Sequence, residues 1–153
     1  MNNPFPAIAI ELRETVDQAQ PLLVELSDAQ TSQSSQPGKW SKKEILGHLL
    51  DSASNNHQRF VRAAVQGDLV FPGYDQEGLV TLQRFGDLQW SFLVEFWAGY
   101  NRFLAHVISV MPSQSSSVTC AIGKNQPATL GWIAQDYLAH LKHHLNQILG
   151  PSF

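Results

Sequence analysis

The sequence predicts an all-α protein that folds as a four-helix bundle, and three observations support this prediction. Four stretches carry apolar residues at the three- and four-residue spacing of an amphipathic helix. The segments between them are polar or contain glycine and proline, and no internal repeat is evident. Helices that each have one apolar face bury those faces together most simply as a bundle. We expect residues 1–153 to form a single domain, because a chain of this length suits one hydrophobic core.

The composition narrows the range of partners and compartments. A formal net charge of −3 provides no basic surface of the kind that binds nucleic acid. No apolar run approaches the roughly 18 residues that cross a bilayer, and the first residues do not resemble a secretory signal. The single cysteine, Cys120, cannot form an internal disulfide, and we expect it to be a small buried side chain rather than a nucleophile. We therefore expect a cytoplasmic protein that binds neither nucleic acid nor membrane.

The first predicted helix runs from about Ala7 to Leu26. Its apolar residues fall on one stripe, and its charged residues face away from that stripe. Pro21 lacks a backbone donor, so we expect a kink, or two helical pieces that meet near Ala19. The polar segment Thr31–Gly38 that follows has the composition of a loop.

The second predicted helix begins at a capping box, which is formed by Ser41 and by Glu44 three residues later. It runs to about Val65 and ends near Gly67. Residues 67–87 then form a long connection, of a length that is often functional, and its role stays open. Part of this connection, around Leu79–Phe85, has the pattern of a short helix.

Two histidines of the second helix fall on different faces. His57 lies on the apolar face, and the spacing therefore predicts a buried core histidine. His48 lies on a small, polar face, which leaves it in a cleft or in water. The neighbours of His48 on that face are Ser52, Asn55 and Arg59. Spacing alone thus does not nominate His48 as a ligand.

The third predicted helix, from Trp90 to Met111, is strongly apolar and ends at Pro112. It carries many large side chains, and we expect it to be the most buried of the four helices. The side chains expected in its apolar set include Phe92, Phe96 and Phe103. Residues 113–127 are polar, with Val118–Ile122 extended at most.

The last predicted helix starts at its cap Thr129, ends at Gly150, and carries the most informative pattern in the chain. His140 and His144 lie one turn apart, about 6 Å along the axis, on a stripe that is otherwise apolar. The other members of this stripe are Ile133, Tyr137 and Ile148. Two inward-facing imidazoles at this spacing can aim a nitrogen at one point, which is half of a metal site. The alternative is two core histidines with satisfied hydrogen bonds, or a hydrated helix end.

Two motifs in this order resemble the DinB-like superfamily, which includes metal-dependent hydrolases of the YfiT type and low-molecular-weight-thiol-dependent transferases. The first is EILGHLLD (44–51), in a helix capped by Trp-Ser, and the second is HLKHHLNQI (140–148). The resemblance implies an up-down-down-up bundle with a long crossover connection, commonly a homodimer. It also implies a divalent metal ion held by one histidine of the second helix and two of the fourth. In this sequence these are His48, His140 and His144.

The resemblance implies that the metal ion activates a nucleophile, which is either water or a thiol. Three neutral imidazoles would leave one coordination position for water or for a thiol, and an ion there lowers the pKa of either group. Zinc, nickel and iron all accept such ligands, so residue types do not identify the ion. We expect a metal-dependent enzyme that acts on a small-molecule substrate, either as a hydrolase or as a thiol-dependent transferase or isomerase.

Four further side chains are candidates for supporting roles. Glu44 and Asp136 each lie one turn before a candidate ligand and are expected to accept its other ring proton. Asp51 and Tyr74 are candidates for a catalytic base or a substrate contact. For all four, an exposed or capping side chain is the alternative. Two rival functions also stay open: a non-catalytic metal-binding or stress-response bundle that acts through a dimer or partner, and a bundle that binds no metal.

Overall fold

The computed structural model of the protein describes residues 2–153, and four long helices make up most of it. Two short helices lie between them. In chain order the helices are α1 (Phe5–Val24), α2 (Asp28–Ser32), α3 (Lys42–Gln66), α4 (Gln76–Gln83), α5 (Trp90–Val110) and α6 (Leu130–Leu149). Helices α1 and α3 each pack against both α5 and α6. The result is the predicted four-helix bundle, up-down-down-up, with a long crossover from α3 to α5.

The beginning and end of α3 follow directly from its sequence. The hydroxyl of Ser41 accepts a hydrogen bond from the Glu44 backbone at 3.2 Å, and the Glu44 carboxylate accepts one from the Ser41 backbone at 3.0 Å. Both halves of the predicted capping box are therefore present. The helix ends at Gly67, whose φ of 88° favours a residue without a side chain. The predicted bounds of this helix are confirmed to within a residue.

The alternative of two helical pieces meeting near Ala19 is wrong, because α1 is continuous across Pro21. This proline lies in the last turn, where its missing donor leaves only one helical hydrogen bond unmade. Burial holds that turn in place: Ala19 and Leu23 are fully buried, and the Trp90 indole donates to the Leu23 carbonyl at 2.7 Å. The short helix α2 was not predicted, although Ser27 begins it with a capping box of its own.

A small three-stranded sheet at one end of the bundle is an addition to the predicted all-α fold. It consists of β1 (Leu69–Phe71), β2 (Thr119–Ile122) and β3 (Ala128–Thr129), in the order β1-β2-β3. Strands β1 and β2 run parallel, with Leu69 opposite Cys120, whereas β2 and β3 run antiparallel. The crossover therefore has structure of its own, and its helix α4 begins earlier than the pattern around Leu79–Phe85 indicated.

The crossover is also fixed against α3 beside the first candidate ligand. A Cβ atom on Gly47 would lie 2.2 Å from the ring of Phe85, so the ring contacts the helix backbone directly. Only glycine permits that approach without a shift of the ring. The packing of Phe85, itself buried, holds the end of the crossover against the turn that carries His48.

Helix α5 is less buried than its composition predicts. Leu93, Trp97 and other residues of its inner face are fully buried. In contrast, Phe92, Phe96 and Phe103 are 53%, 50% and 48% exposed, which corrects their assignment to the core. None of the helices in residues 2–153, α5 included, is long and apolar enough to cross a membrane.

Candidate metal centre

Three imidazole rings converge between α3 and α6. His48 comes from α3, and His140 and His144 come from successive turns of α6. The Nε2 atom of His140 lies 3.1 Å from Nε2 of His48 and 3.1 Å from Nε2 of His144. One ligand nitrogen from each ring lies within 4.8 Å of the other two. The structure thus brings together the three histidines that the resemblance implied.

The burial of the two α3 histidines differs from the sequence prediction, which left His48 in a cleft or in water and made His57 a buried core residue. His48 is only 1% exposed, whereas His57 is half-buried and places Nδ1 3.0 Å from the Tyr100 hydroxyl. The polar stripe of α3 faces inward, and Ser52 and Asn56 on it are buried as well. This stripe lies opposite α6, where polar groups of the other helix and a cavity meet it. The periodicity argument failed because it equated polarity with exposure.

The spacing of the three nitrogens fits a metal ion better than hydrogen bonding among the rings. Tetrahedral bonds of about 2.0–2.1 Å separate two ligand nitrogens by about 3.3 Å, close to the 3.1 Å between these rings. The Nε2 atom of His140 contacts both of the other rings. A single imidazole nitrogen has either one proton or one lone pair, so it cannot make two good hydrogen bonds. A shared cation would satisfy all three nitrogens.

The environment keeps the rings neutral, which is the state that binds a metal. Burial, with the neighbouring His144 adding to it, lowers the pKa of His48 to about 4. Burial and the surrounding histidines likewise lower the pKa of His140 to about 4, and burial lowers the pKa of His144. At neutral pH each ring therefore carries one proton and one lone pair.

Gln147 orients the ring of His144, and the sequence analysis missed this residue. Its side-chain oxygen lies 2.7 Å from Nδ1 of His144, so that nitrogen donates its proton to the amide. The amide nitrogen of Gln147 lies 3.3 Å from Nε2 of His143. With the proton on Nδ1, the lone pair of His144 is on Nε2 and faces the centre. The spacing could have predicted this contact, because Gln147 lies three residues after His144 on the same helix and side chains at that spacing are neighbours.

The outer side of His48 is covered by Trp40, which precedes α3 and is hydrogen-bonded to the crossover. The Trp40 ring lies 5.0 Å from the imidazole, and its indole nitrogen donates to the Glu77 carboxylate at 3.2 Å. Nδ1 of His48 is buried and has no hydrogen-bond partner within residues 2–153. This ring is therefore held by packing rather than by a hydrogen bond to its second nitrogen.

The structure does not place Glu44 or Asp136 in hydrogen-bond contact with the histidines. Glu44 uses one carboxylate oxygen to cap the start of α3, and no hydrogen bond within residues 2–153 joins its carboxylate to His48. Asp136 lies at the exposed rim of a cavity that also reaches His140, and partial desolvation there raises the pKa of its carboxyl group. Glu44 is thus a capping residue, the alternative that its spacing had left open.

A cavity of about 380 Å³ opens beside His140, one of the three histidines. It is bounded by α3, α6, the residues after β1 and the turn between β2 and β3. The hydroxyl of Ser52 lies in its wall, 3.5 Å from Nδ1 of His140. Its lining includes His140, Ser52, Arg59, Tyr74, Cys120 and Asp136. A small molecule in this cavity would therefore reach the ring of His140.

Asp51 and Tyr74 occupy different positions around this cavity. Tyr74 lines it, and burial raises the pKa of its hydroxyl group, which stays protonated at neutral pH and can donate a hydrogen bond. Asp51 is buried outside the lining and accepts a hydrogen bond from Gln83 at 2.8 Å. Burial raises the pKa of the Asp51 carboxyl group. Of the two, Tyr74 is the one that a molecule in the cavity would meet.

Cys120 lies in the cavity wall but is shielded from solvent. It is only 1% exposed, and burial raises the pKa of its thiol. A thiol with a raised pKa is a poor nucleophile because little of it is ionised at neutral pH. This agrees with the expectation of a small buried side chain.

Comparison with known proteins identifies the family. The model of the DinB superfamily matches residues 11–148. The structure resembles that of YfiT from Bacillus subtilis, described as a probable metal-dependent hydrolase with an unusual four-helix bundle topology, with a TM-score of 0.74 and 17% identity. That likeness covers 97% of this chain and 89% of YfiT, and it shows a shared fold. A search of curated protein sequences found no match. The chain belongs to the DinB superfamily.

Proposed function

We propose that this protein is a metal-dependent enzyme of small-molecule chemistry, with one divalent ion held by His48, His140 and His144. The convergence of three neutral Nε2 atoms, two pairs of them at 3.1 Å, carries this proposal. The adjacent cavity of about 380 Å³ supports it, since a substrate can approach from that side. The description of YfiT as a probable metal-dependent hydrolase points to the same chemistry.

The ion would supply Lewis-acid activation, because coordination lowers the pKa of a water or thiol and so provides a nucleophile at neutral pH. The residues of the chain would supply orientation and hydrogen bonds. Gln147 fixes which nitrogen of His144 is free, and Tyr74 offers a protonated hydroxyl to an oxygen of the substrate. Attack by water makes the protein a hydrolase, and attack by a low-molecular-weight thiol makes it a transferase or isomerase.

The rival proposal is a metal-binding bundle without catalysis. That function would favour a closed site, in which the ion is surrounded by protein on every side. Here His140, Ser52 and Tyr74 line an open cavity. The opening favours an enzyme over a purely structural metal site.

The test is turnover by untagged protein loaded with zinc, nickel or iron. A panel of esters and amides tests hydrolysis, and electrophilic substrates offered with small thiols test transfer. We expect turnover that depends on the metal, is lost in His140→Ala and is retained in His106→Ala, whose ring is exposed on α5. Stoichiometric metal without turnover across both panels would favour the non-catalytic bundle, and absence of bound metal would reject the proposal.

We also propose that the partner implied by the family resemblance is a second copy of this chain, docked on the outer face of α5. Phe92 and Phe96 stack at 6.2 Å, and Phe96 and Tyr100 stack at 5.8 Å, so that the apolar surface is continuous over two turns. Contiguous exposed apolar surface of this kind marks interaction sites.

A further inference from the structure

Arg59 is a cation in the cavity wall that forms no ion pair with a carboxylate of residues 2–153. Its guanidinium carbon lies 5.8 Å from the centre of the Phe71 ring and 5.9 Å from that of Tyr74. One terminal nitrogen is 3.5 Å from the Asn56 side-chain oxygen, and the buried Nε has no partner within residues 2–153. None of the ion pairs formed by those residues includes Arg59.

The charged neighbours in the cavity do not neutralise this guanidinium. Asp136 is the only carboxylate among the described lining residues. No ion pair within residues 2–153 joins Asp136 to Arg59, and desolvation raises the pKa of the Asp136 carboxyl group. Lys124 is exposed in the turn between β2 and β3 and keeps its own hydration. A half-buried guanidinium with unused donors is costly unless something pairs with it.

The position of Arg59 relates it to the three histidines. His48, Ser52, Asn56 and Arg59 follow one another on the inward face of α3. Ser52 contacts His140, Asn56 lies one turn or about 6 Å further along the helix, and the guanidinium contacts Asn56. The guanidinium is therefore on the order of 10 Å from the candidate metal centre, at the other end of the same cavity.

We propose that Arg59 binds a carboxylate of the substrate or thiol cosubstrate, at the end remote from the reacting group. The planar guanidinium matches a carboxylate with two parallel hydrogen bonds, and the flanking rings hold it in one plane. A single guanidinium balances one negative charge, which favours a carboxylate over a phosphate dianion. This inference rests on the proposed function, because it assumes that the reacting end of the bound molecule lies at the three histidines.

The structural alternative is that Arg59 only holds the crossover, through its contacts with Phe71 and Tyr74. Thermal unfolding of Arg59→Gln reports that contribution, but it does not separate the two roles. The ratio of affinities for a carboxylate ligand and a neutral ligand does separate the two roles, because a purely structural arginine would not affect that ratio. Arg62→Gln is the matched control, since Arg62 lies on the same helix and contacts only Gln58 among side-chain partners.

The experiment is calorimetric titration of full-length protein with mercaptohexanoate and mercaptohexanol, which differ only at the end opposite the thiol. We expect zinc-loaded wild-type protein to bind the carboxylate about 10-fold tighter or more, in line with charge-assisted hydrogen bonds. Arg59→Gln should abolish this preference, Arg59→Lys should retain part of it, and Arg62→Gln should leave it unchanged.

Two results would overturn the inference: wild-type protein that does not prefer the carboxylate, or a preference that survives in Arg59→Gln. Failure of the proposed function would look different. In that case zinc-loaded and metal-free protein would bind each thiol equally well, because the thiol would not use the metal. The preference for the carboxylate, and its loss in Arg59→Gln, would still be measurable in the metal-free protein.

Discussion

The inward face of α3 and the outer face of α5 depart from the usual distribution of residues in opposite directions. On α3, His48, Ser52 and Asn56 are polar and nearly inaccessible. On α5, Phe92 and Phe96 are large and apolar, yet about half of each side chain is exposed. Folding alone favours neither arrangement. Buried polar groups are unfavourable without hydrogen-bond partners, and exposed aromatic groups forgo the favourable free energy of burial. Both faces are therefore the places to look for function.

The difference between the two faces lies in what each lacks. The α3 face has lone pairs and a cation that face a cavity, and it would be completed by a metal ion and a small ligand. The α5 face carries a stack of aromatic rings instead, and it would be completed by another apolar surface. Changes on the first face should affect metal and ligand binding, and changes on the second should affect assembly.

The largest expected effect is loss of metal in His48→Ala. Removing one of three ligands leaves two nitrogens from one helix. Changes to groups that only hydrogen-bond to a ligand lower metal affinity by up to about 100-fold, so we expect the loss of a ligand to lower metal affinity by more than that. Competition with a chelating dye measures this change. His106→Ala removes an exposed histidine of α5 and is the matched control. Equal affinity in both variants would contradict the assignment of His48.

A smaller effect is expected for Gln147→Leu, which removes the acceptor at 2.7 Å from Nδ1 of His144 but leaves all three ligands. Metal affinity should fall by about 10- to 100-fold because the ring loses its fixed orientation. Gln135→Leu alters an exposed glutamine of the same helix and should have no effect. The same dye competition, run on both variants, decides whether Gln147 positions the ring.

Much of this architecture can be predicted from the sequence because local signals determine it. The capping box of Ser41 and Glu44, the glycine at 67 and the pair His140 and His144 all act within one or two turns. The inward orientation of His48 could not be predicted, since it depends on which surfaces of α6 and the sheet lie opposite. The exposure of Phe96 escaped prediction for the same reason: periodicity identifies an apolar face but not what covers it.

The histidines should also make the stability of the metal-free protein depend on pH. The pKa of His48 and of His140 is about 4 in the folded protein, compared with 6.5 for an ordinary histidine. Between these values the unfolded chain binds protons that the folded chain does not. The free energy of unfolding should therefore fall as the pH drops from 6.5 towards 4, by up to about 1.4 kcal/mol per pH unit for each histidine.

Chemical denaturation of chelator-treated protein at several pH values measures this dependence. His48→Ala should show a shallower dependence than wild-type protein, because one of the histidines whose pKa is lowered by burial is gone. His106→Ala should retain the full slope. Identical slopes in wild-type protein and His48→Ala would mean that burial does not suppress protonation of this ring.

The smallest effect on stability is expected on the outer face of α5. Phe96→Ser changes a half-exposed side chain, and the unfolding free energy of the monomer should change by no more than about 0.5 kcal/mol. Phe60→Ala, at a fully buried position, should cost about 3–5 kcal/mol. Sedimentation velocity should show that Phe96→Ser weakens the homodimer that we propose. A large loss of monomer stability in Phe96→Ser, or a dimer affinity equal to that of wild-type protein, would contradict the assignment of the α5 face to assembly.

The most direct test of the shared cation is a crystal structure of metal-loaded protein with anomalous diffraction at the zinc, nickel and iron edges. We expect a single anomalous peak about 2.0–2.1 Å from Nε2 of His48, His140 and His144, with a coordination position open to the cavity. A peak elsewhere, or none at these rings in protein that contains stoichiometric metal, would contradict the assignment.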